Sequence, residues 1–464
     1  MPSGPEGFID QPAYTTEFSR ARELLLAHPG RWHIIYHYDG DGIASASSAI
    51  RALLRLGYGV QATPLVGVER SRMADLLRGS PGPTLIVDTG SSWLDLYGSH
   101  PGPVIVLDHH QYPGVPEPPA LPATVAFVNP LDWGVDGMSE LCAATLTWLY
   151  TVFLDPRNWD NAAWGLSGAI ADRQHQGGFR GLNARLLKEA TDRSQVVVRR
   201  GLALFGATVG EAVTRSIDPY IRGLSSRAGD TETFLRMMAI DPKRPLSALE
   251  PDAEKRLTSA LLSRLSAQGT RPEFAEMLTQ ELLWLPALGL TATELSNYQN
   301  AAGRIGEPGI GVALALGDPK ALGRAREAEE SWRDGILRGL RRIEDGAVTS
   351  MPALQWFESP EPPLAGTQAG LAMNYLLDPR RPVFACSKVE RTLRVSARGT
   401  LHLVSEGLNL AEVCRRAAAG LEGEGGGHPV AAGATLPADR WEPFLAEANR
   451  LIGAQLPHLA EARA

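Results

Sequence analysis

Cysteine, lysine and long apolar runs are scarce in this 464-residue chain, and the scarcity of cysteine and of long apolar runs argues against particular classes of protein. The three cysteines, Cys142, Cys386 and Cys414, are far apart and show no Cys-x-x-Cys spacing, which argues against a disulfide framework or a zinc knuckle. The longest apolar stretch, near residues 141–154, is too short and too polar to span a bilayer. The first residues show no signal-peptide pattern, so we expect a cytoplasmic protein with no membrane partner.

The charge balance is acidic, because 45 Lys plus Arg face 52 Asp plus Glu, which gives a formal net charge of −7. This balance argues against a generic basic coat for nucleic acids but leaves room for a local basic groove. Only five of the 45 cations are lysine, and arginine is the better bidentate phosphate ligand. A compositional bias of the genome is the simpler interpretation of the arginine excess.

The first part of the chain alternates strand-like and helix-like segments. Short β-branched runs bounded by Gly, Pro or Ser indicate strands at RWHIIYH, VQATPL, TLIVD, VIVLD and AFVN. The apolar spacing over residues 43–56 is helical, and helical patterns dominate residues 139–180. Because such alternation favours a parallel sheet covered by helices, we predict an α/β fold with an N-terminal parallel-sheet domain at residues 1–184.

The rest of the chain divides into a helical and a mixed part. Helical patterns, among them NARLLKEATDRSQVVVRRGLALFG and PEFAEMLTQELLWLPAL, predict a mostly helical segment at residues 185–345. Strand patterns return in RPVFACSK, RTLRVSAR and LHLV, and the end is helical again, which predicts a smaller C-terminal α/β domain at residues 346–464. Three domains agree with a length of about 150 residues for each.

Polar side chains follow three of the predicted strands at the point where each strand ends. These side chains are carboxylates and imidazoles: His37, Asp39, Asp41, Asp88, Asp108, His109 and His110. A fourth segment, GAIADRQ, adds Asp172 after a helix of small residues. Because ligands of open α/β sheets bind at the carboxyl ends of the strands, we expect these groups to form one cluster.

Several carboxylates in a small volume would repel one another unless cations neutralise them. Two divalent cations would do so, and a mixed set of carboxylates and imidazoles suits Mn²⁺. Each piece alone has a simpler interpretation: a strand-end Asp is usually a turn former or helix cap, and Asp-Gly-Asp-Gly fits a turn or a calcium loop. Their order and their common position at strand ends favour a metal centre.

The segment Gly425-Gly426-Gly427-His428 has a separate logic. Three glycines let backbone N–H groups approach an anion closely, and the imidazole can add a donor. A flexible turn before Ala-Ala-Gly-Ala fits these residues equally well. His175, three residues after Asp172, is expected to be a surface histidine rather than part of the cluster.

HYDGDG, the strand-end Asp88, the Asp108-His109-His110 triplet and GAIADRQ, in that order, resemble the four motifs of the DHH phosphoesterase superfamily. The resemblance is greatest to its archaeal RecJ-like single-strand-specific exonucleases, of the GINS-associated type. It extends to VNPLDWGVDGMSELCAAT, to LSNYQNAAGRIGEPGIGVALALGD, and to a DHH-associated C-terminal domain with its GGGH motif. Residues 1–184 would then be the DHH domain, and residues 346–464 the DHH-associated domain.

The resemblance implies a role for each strand-end residue. One Mn²⁺ would be held by His37, Asp39 and Asp88. The second would be held by Asp41, Asp88, His109 and Asp172, with Asp88 bridging. His110 would contact the scissile phosphate, and Asp108 would orient an imidazole. The residues implied to bind a substrate phosphate or terminal nucleotide are Ser396, Arg398, Gly425, Gly426, Gly427, His428 and, with structural pairing as an equal alternative, Arg304.

The resemblance implies a Mn²⁺-dependent phosphodiesterase that removes nucleotides from an end of single-stranded DNA, or of RNA, in replication or repair. Mg²⁺ or Co²⁺ are substitutes for Mn²⁺, and the GINS complex or a repair helicase is an implied protein partner. Three alternatives stay open: a phosphodiesterase for short oligonucleotides or cyclic dinucleotides, a replisome scaffold that binds GINS or a helicase, and a pyrophosphatase-type enzyme. The intact ligand set argues against a purely structural role but not against a dual one, and the GGGH domain argues against the pyrophosphatase.

Overall fold

The structure, a computed structural model, describes residues 12–67, 69–115 and 120–461. Two compact units divide the chain: one comprises Met1–Arg200 with Glu281–Glu330, the other Gly201–Gln280 with Ser331–Ala464. The three-domain division at residues 184 and 345 stays a prediction. Within the described ranges, no helix combines the length and the apolar character needed to cross a membrane.

Fourteen strands lie in the described residues and form three sheets. In chain order they are β1 Arg31–His37, β2 Gly59–Leu65, β3 Thr84–Val87, β4 Val104–Leu107, β5 Val125–Val128, β6 Val197–Leu202, β7 Thr279–Leu285, β8 Leu290–Thr291, β9 Thr349–Ser350, β10 Gln355–Glu358, β11 Val383–Val389, β12 Thr392–Arg398, β13 Glu424–Gly427 and β14 Ala431–Pro437. The sheet orders are β2-β1-β3-β4-β5, β6-β7-β8 and β13-β14-β12-β11-β10-β9.

Nineteen α-helices accompany them in the same described ranges. They are α1 Pro12–Ala27, α2 Gly40–Arg55, α3 Arg70–Gly79, α4 Leu94–Tyr97, α5 Ala143–Leu154, α6 Ala162–Ala171, α7 Gly181–Asp192, α8 Val209–Thr214, α9 Ala228–Met237, α10 Pro251–Ala267, α11 Pro272–Ala275, α12 Ala292–Arg304, α13 Gly309–Ala315, α14 Ala321–Glu344, α15 Ala365–Tyr375, α16 Leu401–Ser405, α17 Leu410–Ala418, α18 Trp441–Gln455 and α19 Pro457–Glu461.

The five-stranded sheet of the first unit is parallel throughout. Successive residues of a strand enter cores on opposite faces: Ile34 and Tyr36 pack into one apolar cluster and Ile35 into another. Burial on both faces explains why β3, β4 and β5 are near-continuous apolar runs, whereas the edge strand β2 is largely exposed and more polar. The predicted N-terminal parallel sheet and α/β class are confirmed, and the carboxyl ends of β1, β3 and β4 meet at one edge.

The six-stranded sheet of the second unit is mostly antiparallel, and only β10 and β11 pair in parallel. Phe384 packs with α17 and α18 on one face, whereas Ala385 packs with α15 on the other. The edge strand β13 pairs with β14, so that Gly426 is opposite Gly433, and Gly433 is opposite Ser396 on β12. A C-terminal sheet domain was predicted, and the structure shows one.

Three local predictions are wrong. LHLV is not a strand but helix α16, because the Thr400 hydroxyl accepts a hydrogen bond from the N–H of Leu403 at 3.1 Å and caps a helix start. The segment around Val197 forms strand β6 instead of continuing a helix, which agrees with its run of β-branched residues. TQELLWL forms β7, which pairs antiparallel with β8. Tertiary pairing overrides the helical spacing there.

Candidate metal centre

The loop between β1 and α2 places two of the predicted ligands. Asp39 caps α2 by accepting a hydrogen bond from the N–H of Gly42 at 3.2 Å on Oδ1. Its other oxygen, Oδ2, lies 3.0 Å from Nδ1 of His37. A Cβ on Gly42 would lie 2.1 Å from the carbonyl oxygen of His37, so the tight turn requires glycine there. The helix cap therefore fixes Asp39 beside His37.

Asp88 lies between two imidazoles. It follows β3 with a left-handed backbone (φ 58°), which aspartate tolerates better than most residues, and its side chain is buried. Its Oδ2 is 3.6 Å from Nδ1 of His37, and its Oδ1 is 3.4 Å from Nε2 of His109. One carboxylate oxygen thus faces each imidazole, which is the arrangement that a bridging carboxylate needs.

His109 is held in one tautomer by the protein. Its Nδ1 lies 2.7 Å from the carbonyl oxygen of Gly137, and a carbonyl can only accept, so Nδ1 is the donor. The other nitrogen, Nε2, lies 3.6 Å from Oδ2 of Asp41 and close to Asp88. In the neutral ring, Nε2 is therefore the nitrogen available as a metal ligand.

Asp41 is held by the N-terminus of α5. Its Oδ1 accepts hydrogen bonds from the Cys142 thiol at 3.1 Å and the N–H of Ala144 at 2.9 Å. Its Oδ2 accepts from the N–H of Ala143 at 3.0 Å. Helix N-termini stabilise anions, so the start of α5 offsets part of the cost of burying the ionised Asp41 carboxylate. Sequence reasoning missed this role of Cys142, and nothing in its local pattern indicates it.

Asp172 follows the end of α6 and completes the cluster. Its Oδ2 lies 3.9 Å from Nδ1 of His109 and accepts a hydrogen bond from Nε2 of Gln174 at 2.7 Å. Within the described residues, three groups offer ligand atoms within 4.8 Å of one another: His37 with Asp39 and Asp88; Asp41 with His109 and Asp172; and Asp88 with Asp108, His109 and His110. The structure brings the predicted ligands together, and their assignment as ligands stays a prediction.

Asp108 is fully buried and orients His110. Its Oδ1 lies 2.7 Å from Nδ1 of His110, and its Oδ2 accepts from the N–H of Ser91 at 2.9 Å. Asn129 donates to the Ser91 hydroxyl at 3.1 Å and to the carbonyl of His110 at 3.0 Å. The His110 side chain is 52% exposed, so the imidazole can meet a bound molecule. Asn129 lies in the VNPLDWGVDGMSELCAAT segment of the resemblance, but the sequence analysis predicted no individual role for it.

The pKa values of several side chains in this cluster are shifted from their ordinary values. Burial opposes protonation of His37, but Asp39 and Asp88 outweigh it and raise the pKa of His37 to about 11. Burial and the nearby Asp88 carboxylate raise the pKa of Asp41 well above its ordinary value, and burial raises that of Asp172 to about 6. In the absence of cations, protons on His37 and Asp41 would therefore offset part of the negative charge of the cluster.

A divalent cation fits this donor set. Oδ2 of Asp88 is buried and makes no hydrogen bond within the part of the chain that the structure describes, although a buried carboxylate oxygen normally has a partner. A cation near His37, Asp39 and Asp88 would satisfy that oxygen. Mixed carboxylate and imidazole donors suit Mn²⁺ better than Mg²⁺.

The predicted substrate residue Arg304 ends α12, in the same unit as the cluster. It is exposed, and its guanidinium donates to the Tyr38 hydroxyl at 2.9 Å. On the preceding turn, Asn300 accepts a hydrogen bond from the N–H of Gly40 at 3.0 Å. Helix α12 therefore braces the His37–Gly42 segment, and Arg304 has the structural partner that the sequence left as an alternative.

The remaining predicted substrate residues lie on the C-terminal sheet. Ser396 and Arg398 are half-buried on β12, and the three glycines form the edge strand β13 instead of a loop or flexible turn. A Cβ on Gly425 would lie 2.3 Å from the carbonyl oxygen of Cys414, so close packing against α17 requires glycine there. Pairing with β14 places Gly426 in the same cross-strand row as Ser396. His428 follows the strand and is exposed.

His175 departs from its expected surface position. The side chain is half-buried, its Nδ1 is buried with no hydrogen-bond partner among the described residues, and burial lowers the pKa of the imidazole to about 4. The ring contacts Phe179, with ring centroids 6.4 Å apart. The structure therefore favours a neutral histidine packed beside an aromatic ring.

Comparisons with known proteins agree with this architecture. Residues 366–454 match the DHHA1 domain. An uncharacterised protein of Methanocaldococcus jannaschii is 26% identical over 440 residues, which cover 94% of this chain and 96% of that protein. The family match thus lies within the C-terminal sheet domain, whereas the similarity to the Methanocaldococcus jannaschii protein covers most of the chain.

Two solved structures share the fold. Exonuclease RecJ bound to manganese is 21% identical, with a TM-score of 0.60 and 97% of each chain covered. CDC45 from Entamoeba histolytica is 9% identical, with a TM-score of 0.66 over 97% of this chain and 99% of that one. The chain has the fold of RecJ, and residues 366–454 match the DHHA1 domain.

Proposed function

Starting from the DHHA1 domain and the RecJ fold, we propose that this protein is a metal-dependent phosphodiesterase that removes nucleotides from an end of single-stranded DNA, and of RNA as a second substrate. The observation that carries the proposal is the position of Asp88, whose two oxygens face His37 and His109 at 3.6 and 3.4 Å. Two Mn²⁺ ions are the proposed cofactors, with Mg²⁺ or Co²⁺ as substitutes.

Seven side chains at the sheet edge would bind the two cations and contact the substrate. His37, Asp39 and Asp88 would hold one cation, and Asp41, Asp88, His109 and Asp172 the other, with His110 facing the substrate. Two such cations stabilise the charge that develops on the attacking and leaving oxygens at phosphorus.

His110 is proposed to position the scissile phosphate. Burial opposes its protonation, but the Asp108 carboxylate outweighs burial and raises the pKa of His110 to about 9. The imidazole is therefore positively charged at neutral pH, with a proton on each ring nitrogen. Nδ1 is engaged by Asp108 at 2.7 Å, and Nε2 is therefore the nitrogen that would donate to a phosphate oxygen. A donor held in place before the reaction stabilises charge as it develops.

The C-terminal sheet is proposed to bind a phosphate or terminal nucleotide of the substrate. Arg398 offers a charged guanidinium and Ser396 a hydroxyl from the same strand. Gly425, Gly426 and Gly427 bring backbone close to a ligand without side chains, and His428 adds an imidazole at the exposed end. These groups would supply affinity for the substrate rather than chemistry.

Protein partners and a second candidate function are part of the proposal. The GINS complex or a repair helicase would bring the enzyme to single strands in replication or repair. A replisome scaffold is the alternative, and the fold shared with CDC45 over almost the whole chain favours it. The intact set of candidate ligands favours catalysis instead, because a scaffold needs no buried cluster of carboxylates and imidazoles.

The test is to incubate the purified protein and Mn²⁺ with single-stranded DNA and RNA oligomers of increasing length, labelled at either end. Progressive shortening of long strands supports the exonuclease, and the label released first gives its polarity. Digestion confined to the shortest oligomers would support the oligonucleotide or cyclic-dinucleotide phosphodiesterase. No cleavage with Mn²⁺ bound would favour the scaffold.

The matched control for this assay is Asp39→Asn. Asparagine caps helices as well as aspartate does, so the start of α2 should persist while one charged ligand is lost. The variant should bind oligomers but not shorten them. Turnover equal to that of the wild type would contradict the role given to Asp39.

A further inference from the structure

Gln174 lies on the turn that ends α6, two residues after Asp172. Arg173 between them has a left-handed backbone (φ 61°), at a position where helices usually place glycine. The N–H of Gln174 donates to the carbonyl of Ala169 at 2.9 Å, which closes the helix end. This strained turn directs the Gln174 side chain into the protein, where it is only 4% exposed.

Every polar atom of the Gln174 amide is bonded. Nε2 donates to Oδ2 of Asp172 and to the carbonyl oxygen of Gly137, both at 2.7 Å. Oε1 accepts from Nδ2 of Asn183 at 2.6 Å. Because the Gly137 carbonyl can only accept, the NH₂ group must face it, and the orientation of the amide is fixed.

The Gly137 carbonyl is shared with His109. It lies 2.7 Å from Nδ1 of His109, the same distance as from Nε2 of Gln174. A continuous chain of hydrogen bonds therefore runs from Asp172 through Gln174 and Gly137 to His109. Both ends of this chain belong to the group formed by Asp41, His109 and Asp172, and neither end belongs to the His37 group.

We propose that Gln174 is a positioning residue that joins Asp172 and His109 into one cation position. It restrains the Asp172 carboxylate directly, and it restrains His109 through the shared carbonyl. Asn183 acts behind it by holding the amide in the donating orientation. The inference rests on the proposed metal-dependent function and deepens it, since it predicts that one of two cation positions can be weakened alone.

The test measures Mn²⁺ binding to purified protein by calorimetric titration, without substrate. Gln174→Met keeps the shape of the side chain and removes its hydrogen bonds. It should weaken one Mn²⁺ position about 10- to 100-fold, the range typical of residues that orient metal ligands, and leave the other unchanged.

Gln355→Met is the matched control. Gln355 is also 4% exposed and donates two hydrogen bonds to backbone carbonyls, those of Asp378 and Arg381, at 2.9 and 3.4 Å. The Gln355→Met variant should lose about as much thermal stability as Gln174→Met and keep the wild-type affinity at both Mn²⁺ positions. Weakening of both positions in Gln174→Met to the same degree, or of neither, would overturn the inference.

A second variant keeps Gln174 itself. In Asn183→Leu the donor to Oε1 is lost, so the Gln174 amide is restrained on one side only, although its NH₂ group still faces Asp172 and the Gly137 carbonyl. The same single Mn²⁺ position should weaken, and unchanged binding would contradict the role of the amide. A wild-type protein that binds no Mn²⁺ would overturn the proposed function as well, whereas normal wild-type binding with unaffected variants would overturn only this inference.

Discussion

The two candidate regions of this protein are built differently. At the edge of the parallel sheet, Asp41, Asp88 and His109 are buried, and burial together with neighbouring charges displaces the pKa of each. On the C-terminal sheet, His428 is exposed and the glycines of β13 form an edge strand without side chains. The first region holds its groups in fixed geometry, and the second offers an open surface.

This difference suggests a division of labour. Buried groups held by helix ends and hydrogen bonds keep the geometry that charge stabilisation at phosphorus requires. An exposed edge strand with small residues can accept a flexible chain and release it. We therefore expect changes at the sheet edge to lower kcat, and changes on the C-terminal sheet to raise KM.

The largest effect is expected from Asp88→Asn. Asparagine tolerates the left-handed backbone at this position, so the fold should persist while the carboxylate that faces both imidazoles loses its charge. Metal stabilisation of the transition state is worth several kcal/mol, so kcat on labelled oligomers should fall about 1000-fold or more. Asp95→Asn, at an exposed carboxylate paired with Arg70, should be neutral. Equal activity in the two variants would contradict the proposed role of Asp88 as a metal ligand.

A smaller effect of another kind is expected from Arg398→Met. Hydrogen bonds to charged groups contribute about 1.5–3 kcal/mol, so KM should rise about 10- to 100-fold with little change in kcat. Arg391→Met, an exposed change in the turn before β12, is the control. A fall in kcat with KM unchanged would contradict the division of labour.

The pH dependence of the metal-free protein tests the pairing of His110 with Asp108. The pKa of His110 is raised to about 9, so its contribution to stability is complete below its ordinary value of about 6.5 and is lost as pH rises through about 9. The free energy of unfolding of the wild type should therefore exceed that of His110→Gln most below pH 6.5. The difference should shrink towards pH 9, and a difference independent of pH would contradict the ion pair.

The smallest effect is expected from His428→Gln. The side chain is exposed, so water competes for its hydrogen bond and the net contribution is about 0.5–1.5 kcal/mol; KM should rise only about 2- to 10-fold. Gln keeps a donor, and the backbone bond from the N–H of His428 to the carbonyl of Ala431 at 2.8 Å should persist. A loss of activity as large as that of Asp88→Asn would place His428 among the groups that perform chemistry.

Much of the sheet edge could be predicted from the sequence, because its residues follow apolar strands directly. A parallel sheet brings strand ends together whatever the connections are, so His37, Asp88 and His109 were expected to meet. The hydrogen-bond partners that hold these strand-end groups in place could not be predicted. Cys142 lies 101 positions from Asp41, and Gln174 37 positions from Gly137, and only the packing of α5 and α6 brings these pairs into contact.

The C-terminal sheet was harder to predict in detail. Gly425, Gly426 and Gly427 favour a loop by propensity, and only pairing with β14 makes them a strand. LHLV has strand-like residues, but the Thr400 cap makes it helical. In both cases a local preference gives way to a hydrogen bond whose partner the sequence pattern does not reveal.

The most direct test of the central claim is anomalous diffraction at the manganese edge from crystals grown with Mn²⁺. The account predicts two peaks about 3.5–4 Å apart on either side of the Asp88 carboxylate, one beside His37 and the other beside His109. Two peaks that both disappear in Asp88→Asn crystals would support the bridging role. Crystals that contain Mn²⁺ elsewhere but none at this sheet edge would contradict the account.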